Sequence, residues 1–232
     1  MTNPDTLWCV VPAAGRSTRV GGNVPKQYLP IAGKTLLLHT LERLAAHRGI
    51  AGLMVALAAD DACWPGTTEL SGKPVLNTIG GGERADSVLA GLRALRGRVS
   101  DSEFILVHDA ARPCVALDDI SRLIELGVPA GGALLGAPVR DTLKRADTQA
   151  RVLATEPRDS RWRALTPQLF RYGELVAALE SARAAGIAAT DEAMAMERAG
   201  FHPLLVEGAE SNIKVTTRAD FALAEFLLAR TH

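Results

Sequence analysis

The sequence has little that would point to a nucleic-acid-binding or membrane-surface protein. Its 26 lysines and arginines are balanced by 26 aspartates and glutamates, so the formal net charge is zero. A neutral chain has no overall electrostatic attraction to nucleic acid or to an acidic membrane. We therefore predict no nucleic-acid partner, and any site for a polyanion must come from a local cluster of cations.

Cysteines and long apolar runs are also scarce. Cys9, Cys63 and Cys114 lie far apart and are odd in number, which argues against a disulfide framework or a zinc site and fits a reducing compartment. The apolar stretch GIAGLMVALAA is about half of the roughly 18 residues that a bilayer-spanning helix needs. The N-terminus lacks the basic start and apolar run of a signal peptide. We therefore predict a soluble cytoplasmic protein with no membrane partner.

Lysine is rare among the cations. Of the 26 basic residues, 21 are arginine, and the five lysines are Lys26, Lys34, Lys73, Lys144 and Lys214. A compact ammonium group suits a point contact on a phosphate. Lysines that stand in loops are therefore candidate anion ligands.

What the sequence does contain is an alternation of strand-like and helix-like segments. The apolar runs LWCVV, GLMVALA, KPVLNTI, FILVHD, GALLGAPV and PLLVEG are typical of buried strands. Segments between them have helical spacing, as in TLLLHTLERLAAH, where Leu37, Leu41 and Leu44 share one face. This alternation predicts an α/β fold with a mostly parallel sheet and helices on both faces. The length fits a single domain over residues 1–232.

Residues 139–163 break this rhythm, because they are polar and rich in arginine and threonine. The pieces DTLKR and ARVLATE flank ADTQ, a pattern that predicts a β-hairpin. An isolated two-stranded hairpin is not stable in water. We therefore predict a protruding β-arm that packs on its own domain or on a second chain.

The loop after the first strand is the first candidate site. Ala13, Ala14 and Gly15 are small enough to let backbone N–H groups approach a ligand closely. Arg19 and Lys26 follow on the same loop, seven residues apart, and can wrap a triphosphate. Ligands of α/β sheets bind at the carboxyl ends of the strands. The loop therefore predicts a phosphate site, the alternative being solvated surface cations.

Two familiar phosphate motifs compete with this interpretation. The GKT triplet fails as a P-loop, because Tyr28 stands where the first glycine of that motif would be. The segment GGGERA offers Gly80, Gly82 and Ala85 as a dinucleotide-binding turn, and Asp109 follows at the expected distance. An NAD(P)-binding or regulatory module therefore remains an alternative. In either case the turn opens a helix whose N-terminus suits an anion or a base edge.

Three further segments carry polar residues at element ends. Asp109 and Arg112 follow the strand FILVHD, where an acid can hold Mg²⁺ or a ribose hydroxyl, or form an ion pair that orders the loop. Thr166 precedes a proline, which favours a turn. Thr190 and Asp191 stand at the start of a helix, where Thr190 is a candidate N-cap.

Eight motifs, taken in order over roughly residues 7–228, resemble one known family. They are PAAG-x-x-x-R, PKQYL, GGxxRxDSV, HDAARP, APVxDTxK, LTPQ, TDEA and NIKVT. Together they are similar to 2-C-methyl-D-erythritol 4-phosphate cytidylyltransferases of the non-mevalonate isoprenoid pathway. The resemblance implies a Rossmann-like nucleotidyltransferase fold, a homodimer joined by the arm, and transfer of the cytidylyl group of CTP to methylerythritol phosphate with release of pyrophosphate.

The resemblance also implies roles for individual residues. Arg19, Lys26 and Lys214 match the catalytic residues that bind and charge-stabilise the CTP phosphates. The residues that match the nucleotide pocket are Pro12, Ala13, Ala14, Gly15, Gly81, Gly82, Ser87 and Asp109. Those that match the acceptor site are Arg112, Thr142, Arg158, Thr166, Thr190 and Asp191, with Thr142 and Arg158 supplied by the partner's arm. Mg²⁺ is the implied cofactor, held mainly by the CTP phosphates, with Asp109 as the candidate protein ligand.

This chemistry agrees with the residue types. A phosphate monoester is already a nucleophile, so the enzyme needs positioning and charge neutralisation rather than a general base. Lysines, arginines and Mg²⁺ are therefore expected at the site instead of a Ser-His-Asp set. Ribitol 5-phosphate, another polyol phosphate, remains an alternative acceptor.

Overall fold

The structure, a computed structural model, describes residues 7–15 and 24–230, and this part of the chain forms twelve strands and six α-helices. The strands are β1 (Leu7–Pro12), β2 (Pro30–Ile31), β3 (Lys34–Thr35), β4 (Ile50–Leu57), β5 (Glu69–Leu70), β6 (Lys73–Ile79), β7 (Phe104–Val107), β8 (Gly132–Pro138), β9 (Leu143–Ala146), β10 (Val152–Glu156), β11 (Trp162–Arg171) and β12 (Leu204–Glu207). The helices are α1 (Leu36–Ala46), α2 (Arg84–Ala94), α3 (Leu117–Ala130), α4 (Tyr172–Ala184), α5 (Glu192–Arg198) and α6 (Arg218–Leu228), and a 3₁₀ turn covers Lys26–Tyr28.

Eight of these strands form one central sheet in the order β12-β8-β11-β7-β1-β4-β6-β5. The strands β7, β1, β4 and β6 run parallel, and β12 runs parallel to β8. Strand β11 runs antiparallel between β7 and β8, and the short β5 is antiparallel to β6. The prediction of a mostly parallel sheet is confirmed.

Helices cover both faces of the sheet, as the sequence predicted. Apolar side chains of α1 and α3 pack with Cys9 and Val11 on one face, and those of α2, α4 and α5 pack with Val10 on the other. The alternation along β1 follows from the two-residue period of a strand. A Cβ at Gly91 of α2 would lie 2.6 Å from Cγ1 of Val10, so the absence of a side chain there lets α2 pack directly on β1. No helix within the described ranges combines the length and apolar character needed to cross a bilayer.

The order of the connections opens a crevice at the carboxyl end of β1. From β1 the chain passes through α1 to β4 on one side, and from β6 it returns through α2 to β7 on the other side of β1. The strand order therefore reverses next to β1. Open α/β sheets bind their ligands at such a switch point.

Strand β11 is the one long element that the sequence did not suggest. The proline after Thr166 favours a turn, yet this stretch lies in the middle of a ten-residue strand. Its pairing with β8 shifts register between Ala164 and Gln168, and such a bulge accommodates a residue without an N–H group. Leu169 and Phe170 are buried in the two cores, so burial of the strand outweighs the local preference for a turn.

The predicted hairpin of the arm is confirmed. Strands β9 and β10 pair antiparallel, from Leu143 opposite Glu156 to Val152 opposite Ala146. Most of its side chains are exposed, including the apolar Val152 and Leu153, at 63% and 57%. The arm therefore buries little of its surface against its own domain.

Candidate active site

A cavity of about 430 Å³ lies at the carboxyl ends of β1, β6 and β7. Its lining includes ten of the residues singled out in the sequence: Pro12, Ala13, Ala14, Gly15, Lys26, Gly81, Gly82, Ser87, Asp109 and Lys214. These residues come from five separate segments of the chain. The fold thus collects the small-residue loop, the glycine turn, the acid and two lysines around one space.

The glycine turn and the PAAG loop, which both line this cavity, pack closely on each other. A Cβ at Gly80 would lie 2.8 Å from Cβ of Ala14 and 2.8 Å from Oγ of Ser87, so a larger residue would push the two loops apart. The N–H of Gly81 donates to Oγ of Ser87 at 3.1 Å. The glycine turn is therefore held against the PAAG loop, and residues of both line the cavity.

Gln27 fixes the PAAG loop through two hydrogen bonds. The sequence alone indicated no role for this residue. Its Nε2 donates to the carbonyl oxygens of Ala13 at 2.8 Å and Gly15 at 3.0 Å, and the residue is only 6% exposed. The next residue, Tyr28, donates its hydroxyl to Asp61 at 2.7 Å. The two contacts anchor the 3₁₀ turn that carries Lys26. The signal in the sequence is the adjacency of a glutamine to the loop lysine, but its partners depend on the fold.

We predict that Gln27→Glu will weaken the use of the nucleotide. The substitution keeps the side-chain size but removes both donors and faces a carboxylate toward two carbonyl oxygens. The cost is about 1–3 kcal/mol for each buried group left unpaired. We expect a lower melting temperature and a KM for the nucleotide raised about tenfold or more, because a shifted loop misplaces its backbone donors. A lowered melting temperature with an unchanged KM would mean that Gln27 supports only the fold.

Asp109 is the electrostatic centre of the site. Its Oδ2 lies 3.0 Å from Nζ of Lys214 and 3.5 Å from Nε of Arg112, and its Oδ1 lies 2.8 Å from Nε of Arg84. Burial opposes the charged form, but Arg84, Lys214 and Arg112 outweigh it and hold the pKa of Asp109 below its ordinary value. The carboxylate therefore stays ionised at neutral pH. The predicted Asp109–Arg112 ion pair is present.

A buried network lies behind Asp109. Its backbone N–H donates to Oγ1 of Thr166 at 3.0 Å, and that hydroxyl shares a second hydrogen bond of 3.0 Å with Nδ1 of His108. Burial lowers the pKa of His108 to about 4, so the imidazole is neutral at physiological pH. Asn212 donates from Nδ2 to the carbonyl of Thr166 at 2.8 Å. Thr166 thus lies beneath Asp109 rather than in the cavity lining, and an acceptor-binding role for it stays a prediction.

A second cavity of about 310 Å³ adjoins the first at Lys214. Arg112, Arg163 and Thr216 also border it. Arg112 is buried, and its Nη1 donates to the carbonyl oxygen of Asn212 at 2.7 Å. The acids Glu210 and Asp220 line it as well, and Glu210 pairs with Arg163. The two cavities therefore share a lysine, and the second combines cations with acids.

The start of α5 differs from the sequence prediction. Asp191 is the N-cap, and its Oδ1 accepts from the N–H of Met194 at 2.9 Å. Thr190 lies one residue earlier and is exposed, so the expectation that it caps the helix was wrong. Gln168 of β11 donates from Nε2 to Oδ2 of Asp191 at 3.0 Å. Asp191 is favoured over Thr190 as the N-cap because its carboxylate accepts hydrogen bonds from both the first turn of α5 and Gln168 of β11.

The remaining sequence candidates lie elsewhere. Thr142 and Arg158 flank the paired strands at the base of the arm, are exposed, and are not part of the lining of either cavity. Arg19 falls outside the described residues. The cavity also contains residues that sequence analysis left without a role, namely Gln27, Glu83, Arg84, Ala110 and Ala111.

The donor set around the cavity suits a weakly protein-bound magnesium ion. Within residues 7–15 and 24–230, no group of three or more His, Cys, Asp or Glu side chains is arranged to hold a metal. Asp109 lies at the cavity wall, and its carboxylate is already paired with Arg84, Lys214 and Arg112. Mg²⁺ commonly keeps several waters and binds through one or two carboxylates together with substrate phosphates. The residues present therefore fit a metal that arrives with a nucleotide.

In sequence and in structure, the chain is similar to proteins of one family. The sequence model of the IspD family, 2-C-methyl-D-erythritol 4-phosphate cytidylyltransferase, matches residues 7–230. The protein of that name from Xanthomonas campestris pv. campestris strain 8004 is 59% identical over 225 residues, which cover 97% of this chain and 85% of the relative. The crystal structure of the enzyme of the same name from Francisella tularensis is 30% identical with a TM-score of 0.81, covering 96% of this chain and 99% of that one. The structure from Thermus thermophilus is 34% identical with a TM-score of 0.77, covering 96% and 98%.

Proposed function

The chain belongs to the 2-C-methyl-D-erythritol 4-phosphate cytidylyltransferase family, and we propose that its cleft transfers the cytidylyl group of CTP to 2-C-methyl-D-erythritol 4-phosphate, releasing pyrophosphate. The observation that carries the proposal is Lys214, which borders both cavities and contacts Asp109. Transfer between two phosphate-bearing substrates needs a cation at the boundary between them. The relatives by sequence and by structure give no support to a dinucleotide-binding module.

The reaction follows from the charge distribution. A phosphate oxygen of methylerythritol phosphate attacks the α-phosphorus of CTP, a new P–O bond forms, and the bond to the β-phosphate oxygen breaks as pyrophosphate leaves. Lys26 and Lys214 neutralise the charge that develops on the phosphate oxygens, and the PAAG loop and the glycine turn hold the nucleotide in line. Arg19 has the same assignment by motif position. No side chain has to remove a proton, because the attacking phosphate is already anionic.

The nucleotide pocket is assigned to the first cavity. Residues 12–15 with Gly81 and Gly82 line it, and the small size of most of them suits close approach by the edge of a cytosine. Ser87 fixes the glycine turn. Asp109 lines this cavity and would contact a ribose hydroxyl or a metal ion that binds with the nucleotide. When bound with CTP, Mg²⁺ would neutralise part of the triphosphate charge, with Asp109 as its protein ligand. The cations beside Asp109 make that metal dependent on the phosphates for binding.

The acceptor site is assigned to the second cavity and the start of α5. Arg112 and Lys214 supply positive charge for the acceptor's phosphate. Thr166, Thr190 and Asp191 belong to this site by motif position.

We also propose that the protein is a homodimer in which the arm of one chain completes the acceptor site of the other. Two facts support this: Val152 and Leu153 expose apolar surface on the arm, and neither Thr142 nor Arg158 is part of the lining of the cavities of its own chain. Sedimentation equilibrium at micromolar concentration should give twice the chain mass. Replacing residues 143–156 with a short glycine-serine linker should give monomers and remove acceptor-dependent turnover. Full turnover by a monomeric form would contradict the dimer.

The function is tested by identifying the product. Purified protein is incubated with CTP, Mg²⁺ and 2-C-methyl-D-erythritol 4-phosphate, and the mixture is analysed by mass spectrometry and ³¹P NMR. We expect one product that joins the cytidylyl group to the acceptor through a new diphosphate linkage, together with pyrophosphate in equal amount. Consumption of CTP without this linkage, or no consumption, would contradict the proposal.

A further inference from the structure

Arg84 bridges two acids that come from distant parts of the chain. It is the first residue of α2 and lines the nucleotide cavity. Its Nε donates to Oδ1 of Asp109 at 2.8 Å, while Nη1 and Nη2 donate to the two carboxylate oxygens of Glu192 at 2.6 and 3.1 Å. All three guanidinium nitrogens are therefore engaged. With Lys214 on the other side of Asp109, the site has a row of alternating charges.

Glu192 is in a position that only a paired acid tolerates. Its side chain is 1% exposed, and a buried carboxylate is costly unless its oxygens are paired. The residue begins α5, and this helix start is fixed to β11, because Oε1 of Gln168 accepts from the N–H of Ala193 at 2.8 Å. Glu192 is thus a rigid anchor, and a bidentate contact to a rigid anchor leaves the Arg84 guanidinium one orientation.

Because Arg84 has one orientation, each carboxylate oxygen of Asp109 has its own set of partners. Arg84 takes Oδ1, and Oδ2 is left on the side of Lys214 and Arg112. Burial opposes the charged state of Arg84, but Glu192 and Asp109 outweigh it and raise its pKa above the ordinary value, so the bridge stays charged. A lysine at this position would reach one of the two acids but could not make the forked contact.

We propose that Arg84 and Glu192 are positioning residues for the transfer reaction, with Glu192 orienting Arg84 and Arg84 orienting Asp109. The ion pair also joins the start of α2 to the start of α5. The start of α2 lies beside the nucleotide cavity, and α5 begins next to Thr190 and Asp191, the predicted acceptor residues. Neither residue has to touch the acceptor for this role. The inference rests on the proposed function only in that Asp109 is taken as part of the nucleotide site.

The test is a double-mutant cycle between Glu192→Gln and Asp109→Asn, with Arg84→Lys as a third variant. We expect Glu192→Gln and Arg84→Lys each to lower kcat/KM for CTP about 10²-fold, as small misplacements in active sites do, at a temperature where all variants are folded. In the Asp109→Asn background, Glu192→Gln should change kcat/KM by no more than about twofold, because the group it positions is already gone. The proposal would be overturned if the fold-change in kcat/KM of the double variant equalled the product of the fold-changes of the two single variants. It would also be overturned by wild-type kcat/KM in the Glu192→Gln variant.

Two further measurements separate positioning from simple support of the fold. Glu180→Gln is the matched control, because Glu180 of α4 pairs with Arg93 at the other end of α2 at 2.8 Å, on the surface. We expect it to leave kcat/KM unchanged. The same cycle is run on the Kd for CTP by calorimetry, which requires no turnover. If the wild-type protein releases no pyrophosphate, the proposed function fails, while the coupling in CTP affinity still decides the role of Arg84 and Glu192.

Discussion

Lys214→Ala will lower kcat by about 10²–10³-fold while the protein stays folded, the loss expected when one charge-stabilising group is removed from an active site. Lys214 borders both cavities, so we expect its ammonium to act on the nucleotide and on the attacking phosphate. The fold should survive because the side chain is 43% exposed and Asp109 keeps Arg84 and Arg112 as partners. Steady-state kinetics and a thermal melt measure the two effects.

Lys34→Ala is the matched control for this experiment. Lys34 is also an exposed lysine with a carboxylate partner, Glu42 at 2.7 Å, but it is not part of the lining of either cavity. We expect wild-type kcat from this variant. Near wild-type kcat from Lys214→Ala, with both proteins folded, would refute the charge role assigned to Lys214.

Lys26→Ala should lower kcat/KM for CTP by a similar factor, about 10²-fold or more. Lys26 stands on the 3₁₀ turn that Gln27 ties to the PAAG loop, and it lines the nucleotide cavity. Because it lies on the nucleotide side, we expect the KM for CTP to rise along with the fall in kcat. Lys26→Arg should recover little, since a planar fork does not reproduce a compact ammonium.

The contrast with Gln27→Glu makes this prediction sharper. Both substitutions disturb the same turn, but Lys26→Ala leaves the two hydrogen bonds of Gln27 in place. We therefore expect Gln27→Glu to lower the melting temperature more than Lys26→Ala does. Turnover by Lys26→Ala within about threefold of wild type would contradict the assignment, since a charge contact on a phosphate is worth far more than that.

The parts of the site that sequence could predict are those whose signal is local. Small residues directly after a strand, and glycines directly before a helix, report on the backbone at their own positions. Residues 12–15 with Gly81 and Gly82 line one cavity, and their role in binding a nucleotide stays a prediction. The parallel order of the strands then brings these loops together, because the carboxyl ends of parallel strands meet at one edge.

The bridge through Arg84 could not be predicted because it is a tertiary contact. Arg84 and Glu192 stand 108 positions apart, and nothing near Glu192 marks it as buried. A glutamate at the start of a helix is usually exposed to solvent, where its charge is stabilised by the positive end of the helix dipole. The contacts that Gln168 of β11 and Arg84 of α2 make with the start of α5 hold this position inward.

Competition between local preferences explains the errors. Thr190 and Asp191 both suit an N-cap, and the cap is Asp191, whose carboxylate is also held by Gln168. The proline after Thr166 favours a turn, yet burial of Leu169 and Phe170 places the segment in the sheet with a bulge. At the start of α5 and in β11, interactions with residues distant in the chain therefore determined which of two locally favoured structures forms.

The most direct test of the account is pyrophosphate release by the purified protein with CTP and Mg²⁺ in three parallel reactions: with 2-C-methyl-D-erythritol 4-phosphate, with ribitol 5-phosphate, and with no acceptor. We predict release that depends on methylerythritol phosphate and matches the amount of acceptor consumed. Release with ribitol 5-phosphate alone would keep the charge mechanism but contradict the substrate. No release in any reaction, from protein shown to be folded, would contradict the proposed function itself.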